Sequence, residues 1–497
     1  MDRKKLVVFV PIIVVVLGII GYLQEGEGAY NAILSSLKLL KVELGQLPAN
    51  CFLEIARWLG ILFFFGLVYA AMSAVIESGI AIAKLIQNDV VAVHGDSIYA
   101  QILKESLGRK GVNASSKVAL KAPVQVLLFE DDREAISFFQ ENASAFKKAR
   151  EVHLCLNMSC QVNIDDDNVF VTNMAEVRAI DYWRTNYCLK QEKIAIVGSG
   201  NLAEEIILWG LLSNIFDVEC KNDYHAFGDF SKFQALHGDV EETVGVFGKD
   251  TISFTKETWY SNIDIVQNAD RIILCDETIE NVETALQMRE VGIKGAIDLF
   301  AENNNVSAIV GNAANIVGLL SQANIQNVLI MDSVHNAGKL CHATYMMLES
   351  TQSKDINAAS LTDYIHTKEF IESWKKLNSF TRGSNYASAI HDPLKYKLLL
   401  NAGLDVKGLS LEDNINKYIA LDDKTRAKLQ EIEHIRWSRY HLLNNWKKPN
   451  GAIVVDGINK KKDADSRLHC DLVPYSDLSD EDQFKDAYFY ETLALRL

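Results

Sequence analysis

The chain is short of positive charge. Its 50 Lys and Arg face 65 Asp and Glu, a formal net charge of −15. A protein that coats nucleic acid needs a basic surface, so that class is excluded and no nucleic-acid partner is expected. Paired cysteines are also missing. Cys51, Cys155, Cys160, Cys188, Cys220, Cys275, Cys341 and Cys470 are scattered, with no C-x-x-C. That spacing argues against a zinc site or a disulfide framework and for reduced thiols in a cytosolic compartment. There is no H-E-x-x-H, no G-x-S-x-G, no P-loop lysine motif and no kinase signature. No carboxylate pair stands out for acid–base work. His94, beside a turn, reads as a packing or capping residue. His335 and His342 are seven apart, not the three or four of a helical metal pair. No catalytic residue and no metal ligand is assigned, and the chain is read as a non-enzyme.

What is present starts with apolar runs. Leu6 to Leu23 carries no charge and, at the helical rise, nearly spans a hydrocarbon core of about 30 Å. A second uncharged run goes from Trp58 to Ile76, with the apolar pattern continuing to Ile82. A cleaved signal peptide would share the basic start at Arg3, Lys4 and Lys5. The second run and the unpaired thiols argue against secretion. Positive-inside logic puts the N-terminus in the cytoplasm. Two spans then return the chain there, so a multi-pass protein of the inner (plasma) membrane with both termini cytoplasmic is expected. Between the runs, Tyr30 to Leu40 reads as a short amphipathic helix that either re-enters the membrane or lies on its surface. No T-V-G-Y-G filter follows it; Leu39, Leu40, Lys41, Val42 and Glu43 occupy the positions. Successive filter carbonyls coordinate potassium, so these residues do not imply conduction.

Beyond Lys84 the pattern changes to alternating strands and helices, the signature of a parallel doubly wound sheet. Asp89 to His94 is a strand, with Gly95, Asp96 and Ser97 turning into a helix. A second strand, Val124 to Phe129, ends in Glu130, Asp131 and Asp132, where a dinucleotide site would keep its ribose acid. Only Gly95 of the glycine fingerprint is in place, so this domain is read as a scaffold. The next copy is stronger. Lys193 to Val197 is a strand. Gly198, Ser199, Gly200, Asn201 and Leu202 then lead, with Ala203, into a helix from Glu204 to Leu212. Gly198 allows the tight turn, Gly200 the approach of a pyrophosphate, and Ala203 close helix–strand packing. Phosphate would sit on the helix N-terminus. Asp223 and Asp229 are the candidate ribose acids. Further strands are read at Thr251–Phe254, Arg271–Cys275 and Gly295–Leu299.

Two membrane helices followed by two such domains resemble the TrkA-N, or RCK, regulators of ion transport, over roughly residues 5 to 345. The resemblance lies in this layout and in Gly198, Gly200 and Ala203. It implies a ligand sensor that binds NAD(H) or another nucleotide, couples binding to the membrane helices, and assembles as a homo-oligomer, a tetramer by analogy.

Residues 346 to 426 read as helical, with a polar break at Phe380–Asn385. Then come Glu433, His434, Arg436 and Trp437, followed by Trp446, Lys447, His469 to Tyr475, and Lys485 with Asp486. These spaced elements, about residues 428 to 490, resemble the RyR domain, the repeat named after ryanodine receptors. Arg436, Trp437 and Trp446 could stack on and pair with a flat anionic ligand, and Glu433, His434 and Tyr475 complete the candidate set. Trp437 and Trp446 read more readily as core, and Glu433 or His434 as tethers of a loop.

The sequence thus yields an α/β fold class: two N-terminal transmembrane helices (1–85), two doubly wound Rossmann-like domains (86–188 and 189–345), a helical connector (346–427) and a RyR-like module (428–497). Its expected partners are the bilayer, a nucleotide-type ligand and further copies of itself. Two alternatives stay open: a membrane-anchored binding protein for a nucleotide signal without conduction, and a membrane-tethered NAD(P)-dependent enzyme.

Overall fold

In a computed structural model the described residues are 3–40, 50–85, 90–113, 118–158, 168–219, 221–302, 304–317, 322–330, 333–350, 357–455 and 458–497. Lys41, Val42, Glu43, Asp89, Cys160 and Cys220 of the sequence reading lie outside them. The chain divides into two compact units, Met1–Ala92 with Val112–Pro123, and Val93–Gly111 with Val124–Leu497.

The first unit holds three helices, α1 (Arg3–Gln24), α2 (Ala29–Leu39) and α3 (Cys51–Leu85). Among the described residues one helical segment is long and apolar enough to cross a membrane, Cys51–Tyr69; the apolar segment Val10–Gln24 is shorter. One of the two expected spans is thus found among the described residues, within α3. The helix α2 folds back along α1 and does not stand apart from it. A Cβ on Gly18 would come 2.8 Å from the Ser36 hydroxyl, and one on Gly60 would come 2.6 Å from the Leu39 carbonyl. Leu39 is buried with Val14 of α1 and Ala56 of α3. Small residues thus let three backbones approach closely, the usual basis of helix packing in membranes. The Asn50 amide ties the start of α3 to α1 through the Gly21 carbonyl (2.9 Å) and Glu25 (2.7 Å).

Two sheets follow. Strands β1 (Val91–His94), β2 (Gly111–Asn113), β3 (Val124–Leu128), β4 (Glu151–Leu156) and β5 (Val169–Asn173) form a sheet in the order β2-β1-β3-β4-β5. The neighbours β3, β4 and β5 pair in parallel. Strands β6 (Lys193–Val197), β7 (Asp223–Phe227), β8 (Thr251–Thr255), β9 (Arg271–Leu274), β10 (Ala296–Phe300) and β11 (Asn315–Val317) form the second, in the order β11-β10-β9-β6-β7-β8. Every pair in it is parallel. Counted from β6, this is the doubly wound order 3-2-1-4-5-6, and the first sheet has the other common order, 2-1-3-4-5. Ile194, Ala195, Ile196 and Val197 are all buried, because parallel strands covered on both faces need no polar side.

The helix Met174–Thr185, here α4, falls within the first domain by sequence, yet it packs on the second sheet. Its Tyr182 hydroxyl donates to Asp298 of β10 at 2.6 Å. The Trp183 indole donates to the Ile206 carbonyl at 2.8 Å. The helix after β6, Asn201–Ser213 (α5), carries Gly210, where a Cβ would meet Trp183 at 2.8 Å.

The C-terminal region is built from α6 (Ser333–Ser350), α7 (Ser379–Asn401), α8 (Asp423–Leu443) and α9 (Asp480–Glu491). The helix α6 runs through the expected boundary at 345/346, and α8 through that at 427/428. The expected break at Phe380–Asn385 is absent: these residues form the first turns of α7, capped by Asn378, whose side chain accepts from the Thr381 N–H. The glycine in it has a packing cause, since a Cβ on Gly383 would run into the Tyr440 hydroxyl. Arg439 of α8 joins this region to the second sheet. It donates to Asp250 (2.6 Å) and to the carbonyls of Leu211 (2.8 Å) and Phe247 (3.1 Å).

Candidate functional site

The turn after β6 has the backbone a phosphate loop requires. Gly198 (φ +120°) and Gly200 (φ +93°) adopt conformations that side chains rarely enter. Gly198 cannot carry a Cβ for a second reason: it would lie 2.7 Å from an Asp276 oxygen. A Cβ on Gly200 would meet nothing within 4 Å, and Ser199 and Gly200 are exposed. Gly200 caps α5, Asn201 and Leu202 open its first turn half-buried, and Ala203 is buried beneath. The strands on either side of the switch in strand order are β6 and β9, the place where doubly wound sheets bind ligands. The loop after β9 carries Asp276, whose Oδ1 accepts the Ser199 N–H at 3.2 Å.

The two candidate ribose acids separate. Asp229 follows Gly228 at the carboxyl end of β7, is exposed, and accepts the Ser231 N–H at 3.1 Å. Gly228 packs on the glycine turn, since its Cβ would come 2.8 Å from the Gly198 carbonyl. Asp223 is corrected. It is the first residue of β7, pairs in register with Lys193, and accepts from the Thr251 hydroxyl at 2.6 Å. It therefore lies at the amino end of the sheet, opposite the crevice that takes ligands.

The first sheet turns its carboxyl end toward the same region. The Asn201 amide donates to the carbonyl of Asn157, one residue past β4. Burial raises the Glu130 carboxyl, past β3, and Glu302 past β10 and Asp96 past β1 push it the same way. The turn after β1 is closed: a Cβ on Gly95 would come 2.0 Å from the Leu128 carbonyl, and the Ser97 hydroxyl donates to that carbonyl at 2.8 Å. His94 is buried, bonded to Gln125 at 2.6 Å, and held below its ordinary value by burial. It is a packing residue.

A cavity of about 160 Å³ lies beside α4, lined by Arg178, Asp181, Tyr182, Thr185, Asn186, Phe300 and Val317. No residue of the glycine turn lines it, and it is small against the ~300–1,000 Å³ of ordinary ligand pockets. It could take one ring, not a whole dinucleotide.

The C-terminal candidates split into two groups because Arg436 and Trp437 are neighbours on a helix and point about 100° apart. Glu433 and Arg436 have no exposed surface. Glu433 accepts from Arg436 at 2.8 Å and pairs with Lys395 of α7 at 3.1 Å. Lys395 also pairs with Asp392 (3.4 Å), which holds Arg496 at 2.8 Å. Despite burial, these cations hold the Glu433 carboxyl well below the usual range. Glu433 and Arg436 are thus a structural pair, not a surface for a ligand. On the other side, half-buried Trp437 packs against His434, His441 and His469, with ring centroids 5.8, 4.0 and 4.9 Å apart. Trp446 is buried and stacks on Phe380 at 4.9 Å. His434 binds the Val473 carbonyl (2.8 Å) and faces Asp486 at 3.5 Å. The Tyr475 hydroxyl donates to Gln430 at 2.5 Å. Among the described residues no group of His, Cys, Asp and Glu is arranged to hold a metal ion.

Sequence reasoning missed Asp276, Gly228, Tyr99 and Arg178. Asp276 and Gly228 were findable, as the residues just past the strands flanking β6. Nothing in the sequence signals that Arg178, on a helix assigned to the first domain, serves the second sheet. Compared with protein-family models, curated proteins and solved structures, the chain gives no match.

Proposed function

We propose that the chain is a membrane-embedded sensor of a nucleotide-type ligand. Its cytoplasmic α/β domains bind NAD(H) or a related nucleotide, and binding biases the helices that lead into the membrane. The observation that carries the reading is the glycine turn. Gly198 and Gly200 take positive φ at the switch point of a 3-2-1-4-5-6 sheet, with open space above Gly200 and Asp229 at the end of the next strand. A phosphate there would meet the N–H groups that open α5, and Asp229 would take ribose hydroxyls.

We read the first unit as a channel-like pair of spans in the plasma membrane with cytoplasmic termini; the close packing of α2 against α1 and α3 supports the channel-like layout. The 11 residues of α2 run back about 16 Å, roughly half of a hydrocarbon core. That favours re-entry over a helix lying flat. Tyr30, Ile33, Leu34 and Leu37 stay exposed on α2, a face for lipid or for other copies in a symmetric oligomer, a tetramer by analogy. A ligand can gate such an assembly only by binding one arrangement better than another.

A second reading, the same sensor without conduction, is favoured by Leu39 and Leu40 where a filter would begin. Ion flux into vesicles containing the purified chain separates the two. A substrate-dependent change in nicotinamide absorbance would instead reveal a tethered reductase. The sensor reading itself is tested by thermal shift of the purified chain with NAD(H), NADP(H), ATP, ADP-ribose and cyclic nucleotides. A shift lost in Gly200→Asp is expected; no shift from any of them refutes it.

A further inference from the structure

The glycine turn has an electrostatic problem. The Ser199 N–H already points at the Asp276 carboxylate, and Glu130, Glu302 and Asp96 crowd the same end of the molecule. A phosphate entering this region meets negative charge unless a cation is supplied. Arg178 fits that need. It lies half-buried on α4, and its guanidinium stands 5.2 Å from the centre of the Phe300 ring. Among the described residues it has no carboxylate partner, whereas Arg271 and Arg439, which also pack on the second sheet, are paired with Glu192 and Asp250. Its charge reaches the Cys275 thiol at the end of β9, one residue before Asp276. It also reaches Tyr99, on the helix after β1, whose hydroxyl is buried and has no hydrogen-bond partner. A buried hydroxyl without a partner is costly unless something completes it, and the half-buried Arg178 is the cation whose charge acts on it.

We propose that Arg178, with the Tyr99 hydroxyl, is the phosphate contact of a nucleoside phosphate held between the carboxyl ends of the two sheets. This rests on the nucleotide reading above. The guanidinium, whose charge acts on the Cys275 thiol against that of Asp276, would bind the phosphate through charge-assisted hydrogen bonds. The cavity that Arg178 lines has room for one ring of the ligand.

The test uses the full chain in detergent and equilibrium binding of ADP-ribose and NAD+. Losing a hydrogen bond to a charged group predicts binding weakened ~10–100-fold in Arg178→Gln, and ~2–10-fold in Tyr99→Phe. Arg178→Lys keeps the charge and should fall between wild type and Arg178→Gln. Among the described residues Arg178 has no carboxylate partner and packs on the Phe300 ring, so the melting temperature without ligand should fall only slightly. Wild-type affinity in Arg178→Gln, or Arg178→Lys as weak as Arg178→Gln, overturns the assignment. If Gly200→Asp abolishes binding while Arg178→Gln does not, the nucleotide reading survives and this inference fails. If neither probe binds the wild-type chain, both fail.

Discussion

Replacing Glu433 by Gln should be among the most damaging single changes in the C-terminal helices, and charge counting says why. Lys395, Arg436 and Arg496 are wholly or almost wholly buried, with Glu433 and Asp392 as their carboxylate partners. Burial keeps the adjoining His391 below its ordinary value, hence neutral near pH 7. Three cations therefore face two carboxylates. Glu433→Gln leaves three against one, stranding Arg436 and leaving Lys395 to share Asp392 with Arg496. Breaking a buried pair in this way costs about 3–5 kcal/mol. Lys395→Met should behave differently, because it leaves two cations and two carboxylates. The Lys395 ammonium already lies 4.9 Å from the centre of the Phe489 ring, so a methionine of similar length keeps the packing. Its cost should stay below about 1.5 kcal/mol, as for a volume-conserving core change. Urea unfolding followed by tryptophan fluorescence measures both, with Trp437 and Trp446 as reporters on and beside α8. Lys395→Met as destabilising as Glu433→Gln would refute the charge count and point to simple packing.

The His434–Asp486 contact predicts a pH dependence. Burial raises the Asp486 carboxyl to about 6 from 3.8. Against the pull of burial, Asp486 together with the Val473 carbonyl and Asp471 raises His434; Glu433 and Arg436 also face Asp486. Both groups hold protons more tightly folded than unfolded, so this contribution to stability is present at low pH. It is lost as pH rises, first from 3.8 through about 6 for Asp486 and then past 6.5 for His434. Unfolding of wild type and Asp486→Asn across that window should show a steeper loss of stability with rising pH in wild type; equal slopes would contradict it. In the membrane unit, Gly60→Leu would put a side chain where the Leu39 carbonyl lies. It should expel α2 and expose a cysteine placed at Ser36 to a thiol reagent, whereas protection equal to wild type would show that α2 is not wedged there.

The second sheet was the most legible part of the chain. β6 was read at its observed bounds, and β8 and β9 within one residue. Strands buried on both faces make unbroken apolar runs bounded by charged or turn residues, and those runs survive in the sequence. Asp223 misled because the mixed polar segment Asp223–Phe227 hides which end of the strand it occupies. The break at Phe380–Asn385 was read from polar composition, but Asn378 caps a helix there and Gly383 makes room for Tyr440. Arg436 beside Trp437 looked like a recognition pair, yet the helix turns them to different sides. Lys395, the partner of Glu433 that fixes this arrangement, lies on another helix and leaves no local signal. Arg178 was invisible for the same reason: its neighbourhood is assembled by the docking of α4 on the second sheet.

The most direct test of nucleotide sensing is the melting temperature of the purified full chain with and without ADP-ribose and NAD(H), in wild type and Gly200→Asp. Ligand at about 100 times its Kd should stabilise the folded state by about 2.7 kcal/mol. The account predicts an upward shift in wild type that disappears in Gly200→Asp. No shift in wild type, or the same shift in both, would contradict it.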